Sequence, residues 1–491
     1  MSLSRRRFFS AAAAGVAGVA AHTWLRRRAF ASGPAPGTVR RLLILHAGGG
    51  MRSTCLFNAG VAPQWNPFGS IAHGDVDTEG KPLLAPGVGW SPGALLVGDR
   101  TPVTLTTWGS TTKLPIVTQV ADKISVLGSV DHDPNAEGDG NHFSATLRMC
   151  TGAPDGRVGL LTMFGKELDG RAPLPPVIVG GSGPIGASVF GVGDGAMARY
   201  RPILINGPTD FRYPRADLAA KDPSFATDLE SALDRAFVAS RPHALDGRPA
   251  DWIVAKQLGG QYGAHLTTDA LRVAYAPTAA LGTTTDGQPL TNEMLAELFG
   301  VPLAAPGRPP STYPADPAWG APTALGVRML QLGAPVVAVG VGGWDFHSDE
   351  EKGLPKLAAS LGRALAALQF LLSRTIDPDV PGKTLWDTTL ILVTSEFCRD
   401  NTAAVSDDGQ KIGFNRGDGS DHHATSACRT QALPIMGGVI PGGRLLRPTD
   451  AQVKPREGAI ATPSLLATLM QAMGVDPKPY FDHDPNTEVY G

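Results

Sequence analysis

Short runs of branched apolar residues alternate along the chain with longer stretches in which apolar positions recur every three to four residues. Leu42-Leu43-Ile44-Leu45 is apolar at every position, the pattern of a strand buried on both faces. Ile124 to Val130, Pro176 to Val179, Pro335 to Val341 and Thr389 to Val393 read similarly, and each runs into glycine or polar loop residues. Between them, Phe225 to Ala239 and Thr323 to Gly333 have helical spacing, and Leu354 to Leu372 is the clearest amphipathic helix. Thr462-Pro463 opens a further helix reaching about Met473, with proline at a favoured early position. Strands separated by helices predict an α/β fold, a three-layer sandwich with a mainly parallel sheet covered by helices on both faces. In such a sheet functional groups collect beyond the carboxyl ends of the strands.

Two stretches interrupt this alternation. Asn58 to Thr112 is rich in glycine, proline and threonine, and Asp286 to Pro322 mixes a short helix with proline-dense coil. Both are read as loop insertions, near 58–112 and 286–322, in a single domain spanning 32–491. No internal repeat is evident.

The first residues follow a different logic. Ser4-Arg5-Arg6-Arg7-Phe8-Phe9 sets an arginine pair before bulky apolar residues, and Ala11 to Ala21 form a weakly hydrophobic run. That run is far shorter than the roughly 20 residues needed to span a bilayer. Arg26, Arg27 and Arg28 follow, then Ala29-Phe30-Ala31, with small residues where a signal peptidase requires them. Residues 1–31 are therefore expected to be a twin-arginine signal peptide, with Ser32 the first mature residue. The expected location is periplasmic or secreted, and no later stretch has the length of a transmembrane segment.

Composition narrows the function classes. With 43 basic and 45 acidic residues the charge is close to balanced, which speaks against nucleic acid or an anionic membrane surface as a partner. The 60 glycines and 42 prolines suit a fold with many loops at strand ends rather than a helical bundle. Cys55, Cys150, Cys398 and Cys428 lack the close spacing of a zinc site and read as dispersed structural thiols. One bridge is open to them in an oxidising compartment, with its pairing undetermined by sequence.

The candidate chemistry lies where the strands end. After Pro335 to Val341 comes Gly342-Gly343-Trp344-Asp345-Phe346-His347, a carboxylate and an imidazole two positions apart before the long helix. After Thr389 to Val393 comes Thr394-Ser395-Glu396-Phe397, a second carboxylate at a strand end. The next loop carries Gly417-Asp418-Gly419-Ser420-Asp421-His422-His423. Oxygen and imidazole donors in this mixture suit a divalent metal: zinc, manganese, magnesium or calcium. Blander roles exist for each residue. Ser348 or Asp349 can cap the helix, Glu396 can pair with Arg399, and Asp418 and Asp421 can simply make turns. Of the 11 histidines, however, three fall at 347, 422 and 423 beside acids and after strands, which favours one shared site.

In their order, Gly342 to His347, Thr394 to Arg399 and Gly419 to His423 resemble the bacterial family called domain of unknown function 1501, a branch similar to the sulfatases and alkaline phosphatases. Asn141-His142-Phe143 followed by Thr151-Gly152 looks like the family's earlier His-Phe segment, and the likeness extends to Leu42–Gly50 and the closing helix. The resemblance implies an alkaline-phosphatase-like sandwich in which Asp345 and His347 hold a metal, Glu396 occupies a ligand position, and His422 or His423 completes the set near Asp421. His142 would contact substrate or metal, and the substrate would be a small anionic ester. Two departures stand out. Met51 and Arg52 stand where many members have an acid, with His46 or Arg52 as the nearby groups to fill its place, and Glu396-Phe397 replaces an Asp-His pair. Ser53 and Thr54 are the candidate hydroxyl nucleophiles, and either can equally serve as a helix cap. Two function classes follow: an exported metal-dependent hydrolase of phosphate or sulfate esters, or a catalytically degenerate phosphatase-like scaffold with a binding or structural role.

Overall fold

The computed structural model describes residues 39–58, 71, 74–90, 93, 101–131, 142–169, 171–172, 174–181, 183, 185–205, 280–301, 318–346, 350–398, 430–450 and 454–490. The expected signal peptide and the expected helix from 225 to 239 lie outside the described residues. In chain order the elements are β1 (Arg41–Ala47), α1 (Ser53–Phe57), β2 (Val103–Thr104), β3 (Lys113–Leu114), β4 (Ile124–Asp131), α2 (His142–Thr151), α3 (Leu160–Glu167), β5 (Val177–Gly180) and β6 (Ile203–Ile205). They continue with β7 (Ala280–Thr283), β8 (Pro289–Thr291), α4 (Asn292–Phe299), α5 (Gly320–Gln331), β9 (Val336–Val341), α6 (Glu350–Arg374), α7 (Leu385–Thr388), β10 (Thr389–Ser395), β11 (Thr430–Met436), β12 (Leu445–Leu446), β13 (Ile460–Ala461) and α8 (Thr462–Ala472).

The central sheet follows the order β12-β4-β11-β10-β1-β9-β5-β6, with β13 also beside β4. Among the described residues β11 alone runs against the rest, pairing antiparallel with both β10 and β4. The expected mainly parallel sheet is thus observed, and the antiparallel strand is a feature that the apolar runs did not announce. β1 lies in the middle, with Leu43 level with Ile391 on one side and Val337 on the other.

Burial on both faces explains why these strands are apolar throughout. Leu43, Leu45, Val337, Val339, Ile391 and Val393 enter one core together with Leu325 of α5 and Leu361, Leu365 and Leu368 of α6. Leu42, Ile44, Val336, Ala338, Leu390 and Leu392 enter the other, with Leu161 and Phe164 of α3 and Leu465, Leu466 and Leu469 of α8. The alternation of neighbouring residues between two cores is the period of two that a strand imposes. The arrangement is a mixed α/β fold with helices on both faces of the sheet. The short helix expected in the second insertion is α4, whose Met294 N–H donates to the Thr291 hydroxyl at 3.3 Å and whose end is closed by Gly300 in the left-handed region.

A buried ion pair pins the amino end of β1. Arg41 Nη1 donates to Asp377 Oδ2 at 2.9 Å and Nη2 to Oδ1 at 3.2 Å, and Arg41 also contacts Asp379. Burial pushes the Asp377 carboxyl up, but hydrogen bonds from the Thr388 hydroxyl, Arg41 and the Asp379 N–H outweigh it, so its pKa is lowered. With the far end held, the functional groups gather at the opposite rim.

Candidate functional site

β1, β9 and β10 run parallel, and β4 shares their direction through its two antiparallel steps across β11, so their carboxyl ends lie along one rim. Backbone and hydroxyl hydrogen bonds stitch the loops there. Gly48 N–H donates to Val341 O at 2.9 Å, and Trp344 N–H donates back to Gly48 O at 3.3 Å. Met51 N–H donates to Ser395 Oγ at 2.9 Å, and that hydroxyl donates to Ala47 O at 2.6 Å. The loops after three strands are thereby fixed relative to one another.

Glycine is required at one point in this lacing. Gly49 has φ +118°, and a Cβ added to it would lie 2.3 Å from the Asp345 N and 2.8 Å from the Asp345 Cβ. The bare backbone of Gly49 thus permits Asp345 to pack directly against it, while its N–H donates to Glu396 Oε1 at 2.7 Å.

Four ionisable side chains form a row on this frame. His142, the first residue of α2, places Nδ1 2.9 Å from Glu396 Oε1, while its Nε2 lies 3.4 Å from Asp345 Oδ1. On the other side of Glu396, His46 Nε2 is 3.8 Å from Oε2. The row runs from core to solvent: the side chains of His46 and Glu396 are 0% exposed, His142 is 19% and Asp345 is 35%. The His142 ring also packs on Phe397, with centroids 4.9 Å apart and planes tilted by 48°.

The inner end is electrostatically distinctive. Burial holds the His46 imidazole below its ordinary pKa, a shift that the Glu396 charge and the Ile185 carbonyl, 3.4 Å from Nε2, only partly oppose. Its ring meets Phe190 edge-on at 5.6 Å. His46 Nδ1 and Glu396 Oε2 are buried and make no hydrogen bond among the described residues. Burial, and secondarily the charge of Glu396, push the Cys150 thiol in α2 well above its usual pKa. Cys150 is a buried free thiol, and Cys398 is buried as well.

Of the residues singled out by sequence, His142, Asp345 and Glu396 come together. Ser53 and Thr54 open α1 and are fully buried. Ser53 Oγ accepts the Ala432 N–H at 2.9 Å, while Thr54 Oγ1 lies 3.7 Å from Cys398 Sγ. His347, Asp421, His422 and His423 lie outside the described residues. Among the described residues no three His, Cys, Asp or Glu side chains form a group able to hold a metal ion. Sequence reasoning gave Gly49 no role and noted His46 only as a replacement for the missing acid. The signal for His46 is an imidazole inside the otherwise apolar run Leu42–Ala47, where burial of a polar group demands a reason.

Residues 278–486 match the family model described as a protein of unknown function (DUF1501), a span that includes Asp345 and Glu396. The comparison with curated proteins finds no match. No helix of the described residues is long and apolar enough to cross a membrane.

Proposed function

We propose that this protein is an exported, divalent-metal-dependent hydrolase of phosphate or sulfate esters, built on an alkaline-phosphatase-like variant of the α/β sandwich. The observation that carries the reading is the pairing of His142 Nε2 with Asp345 Oδ1 at 3.4 Å on the solvent-facing part of the rim. Two donors each about 2.0–2.2 Å from one ion at a tetrahedral angle stand roughly that far apart. The chemistry of the donors fits as well, an imidazole with a carboxylate suiting zinc or manganese. His347, two residues along the chain from Asp345, and Asp421, His422 and His423 are the proposed further ligands. The arginine pair and cleavage-site pattern of residues 4–31 support export by the twin-arginine route to the periplasm or beyond.

A divalent cation held there by His142 and Asp345 would polarise an ester oxygen and acidify water. The chain's own contribution is positional. The laced loops fix Asp345 and Glu396, His142 is held by its hydrogen bond to Glu396, and the partly exposed rim admits an anionic group while Glu396 and His46 remain shielded. With the Ser53 and Thr54 hydroxyls fully buried, the reading assigns the attacking oxygen to water.

One observation favours a second reading, a degenerate scaffold: Met51 and Arg52 stand in the first loop where the family resemblance leads one to expect an acid. Metal analysis of the purified mature protein, with turnover of an aryl phosphate and an aryl sulfate across several metals, separates the two. Metal uptake with turnover supports the hydrolase, and a folded protein that turns over neither ester with any metal supports the scaffold. Replacing both His347 and His422 by alanine is expected to lower metal content while leaving the fold intact; unchanged content would remove the ligand assignment.

A further inference from the structure

The imidazole of His142 is held from both sides, and the two sides differ in kind. Toward the core it meets Glu396, a fully buried carboxyl whose Oε1 already accepts the Gly49 N–H at 2.7 Å. Because the backbone N–H can only donate, Oε1 is an acceptor, and His142 Nδ1 at 2.9 Å donates to it. Glu396 Oε2 lies 3.8 Å from His46 Nε2. Toward solvent, Nε2 faces Asp345 at 3.4 Å. The ring nitrogens lie on opposite sides of the imidazole, so Glu396 stands behind His142 as seen from Asp345.

We infer that Glu396 is the positioning residue of His142 and not a ligand: with Gly49 it fixes the imidazole as the Nδ1–H tautomer, so that the lone pair on Nε2 is aimed at the Asp345 side of the rim. A neutral imidazole with its proton on Nδ1 carries its acceptor on Nε2. An acceptor facing a carboxylate oxygen at 3.4 Å is repulsive unless a positive charge is shared between them, so the arrangement stores a preference for a cation at that place. A carboxylate that orients a ligating histidine in this way changes metal affinity by about 10- to 100-fold when it is lost. The inference deepens the hydrolase reading and rests on it only for the affinity consequence; the tautomer is a property of the metal-free protein.

The test uses the full mature chain labelled with 15N-histidine, with the His142 signals identified by their absence from H142Q. Long-range 1H–15N correlation on the metal-free protein is expected to show the Nδ1–H form in the wild type. E396Q keeps an amide oxygen that can accept from Gly49 and His142, so the same form is expected there. E396L removes the acceptor, and the signals should move toward the Nε2–H form. In parallel, zinc affinity is measured by competition with a chromophoric chelator. A positioning role predicts that E396Q stays within about threefold of wild type while E396L falls about 10- to 100-fold. An Nε2–H wild type, or an E396Q variant that loses zinc as completely as E396L, would overturn the inference. Should E396L fail to fold, the E396Q zinc measurement decides between ligand and positioning residue. A wild type that takes up no zinc counts against the hydrolase reading alone, and the tautomer comparison then decides the role of Glu396.

Discussion

Replacing Gly49 by alanine perturbs the rim at a close backbone contact. The new Cβ would sit 2.3 Å from the Asp345 N and 2.9 Å from its Cα, both backbone atoms, against 3.4 Å or more in ordinary contacts. Something must retreat by roughly 1 Å, and a backbone held by the Trp344 N–H to Gly48 O bond cannot yield as a flexible side-chain tip would. The φ of +118° adds strain on the order of 1–3 kcal/mol for any residue with a side chain. Guanidinium unfolding should therefore show G49A destabilised by about 1–3 kcal/mol or more. Because a displacement of about 1 Å at a reacting centre can lower a rate on the order of 10²-fold, any ester turnover should fall by about that factor. Gly48 is the internal control. It has no positive φ, and its added Cβ meets Ile185 O at 3.0 Å, so G48A should be the milder change in both measurements. G49A as stable as wild type and as active as G48A would refute the idea that a bare backbone at this position lets Asp345 and Glu396 share the rim.

Two further outcomes follow from the packing. Asp377 has a lowered pKa in the folded protein, so the stability it confers is fully present above the ordinary Asp value of about 3.9 and disappears as pH falls through the depressed folded value. D377N should lower the unfolding free energy by about 1–3 kcal/mol at neutral pH, since the buried Arg41 then keeps only the exposed Asp379 as its charged partner. The gap between variant and wild type should close in acid below about pH 4; a gap independent of pH would show that the pair does not act through charge. Cys150 is fully buried with a thiol pKa pushed well up, so iodoacetamide at pH 8 should leave it unmodified in the native protein and label it after unfolding, as read by peptide mass spectrometry. Rapid native labelling would mean that α2, and with it His142, opens away from the sheet.

Much of the architecture was legible in the order of residues because each strand of the sheet centre is apolar at consecutive positions. β1, β9 and β10 are buried on both faces, and that demand leaves an unmistakable run. The long helix α6 was legible for the complementary reason, a single apolar stripe along 25 residues. β11 was not, since Thr430-Gln431-Ala432-Leu433-Pro434-Ile435-Met436 carries a glutamine and a proline and shifts register between Gln431 and Leu433. A proline in an interior strand argues against that assignment until the neighbours that tolerate it are known.

The candidate site divides along the same line. Asp345 and Glu396 were visible as acids just beyond strands, because the carboxyl ends of a parallel sheet must share one rim. Their unequal roles were not visible. Glu396 is sealed at 0% exposure between Gly49 and His46 while Asp345 reaches solvent, a difference set by which loops fold over each. Ser53 and Thr54 looked equally available in sequence, yet α1 turns both into the core. Residue order alone thus determined the layered sheet and the end of it at which polar groups gather, since both depend on local periodicity and strand direction. Which atoms meet there was decided by the tertiary structure, because a hydrogen bond from Gly49 to Glu396 spans 347 positions of chain and depends on a backbone angle that no side-chain pattern encodes.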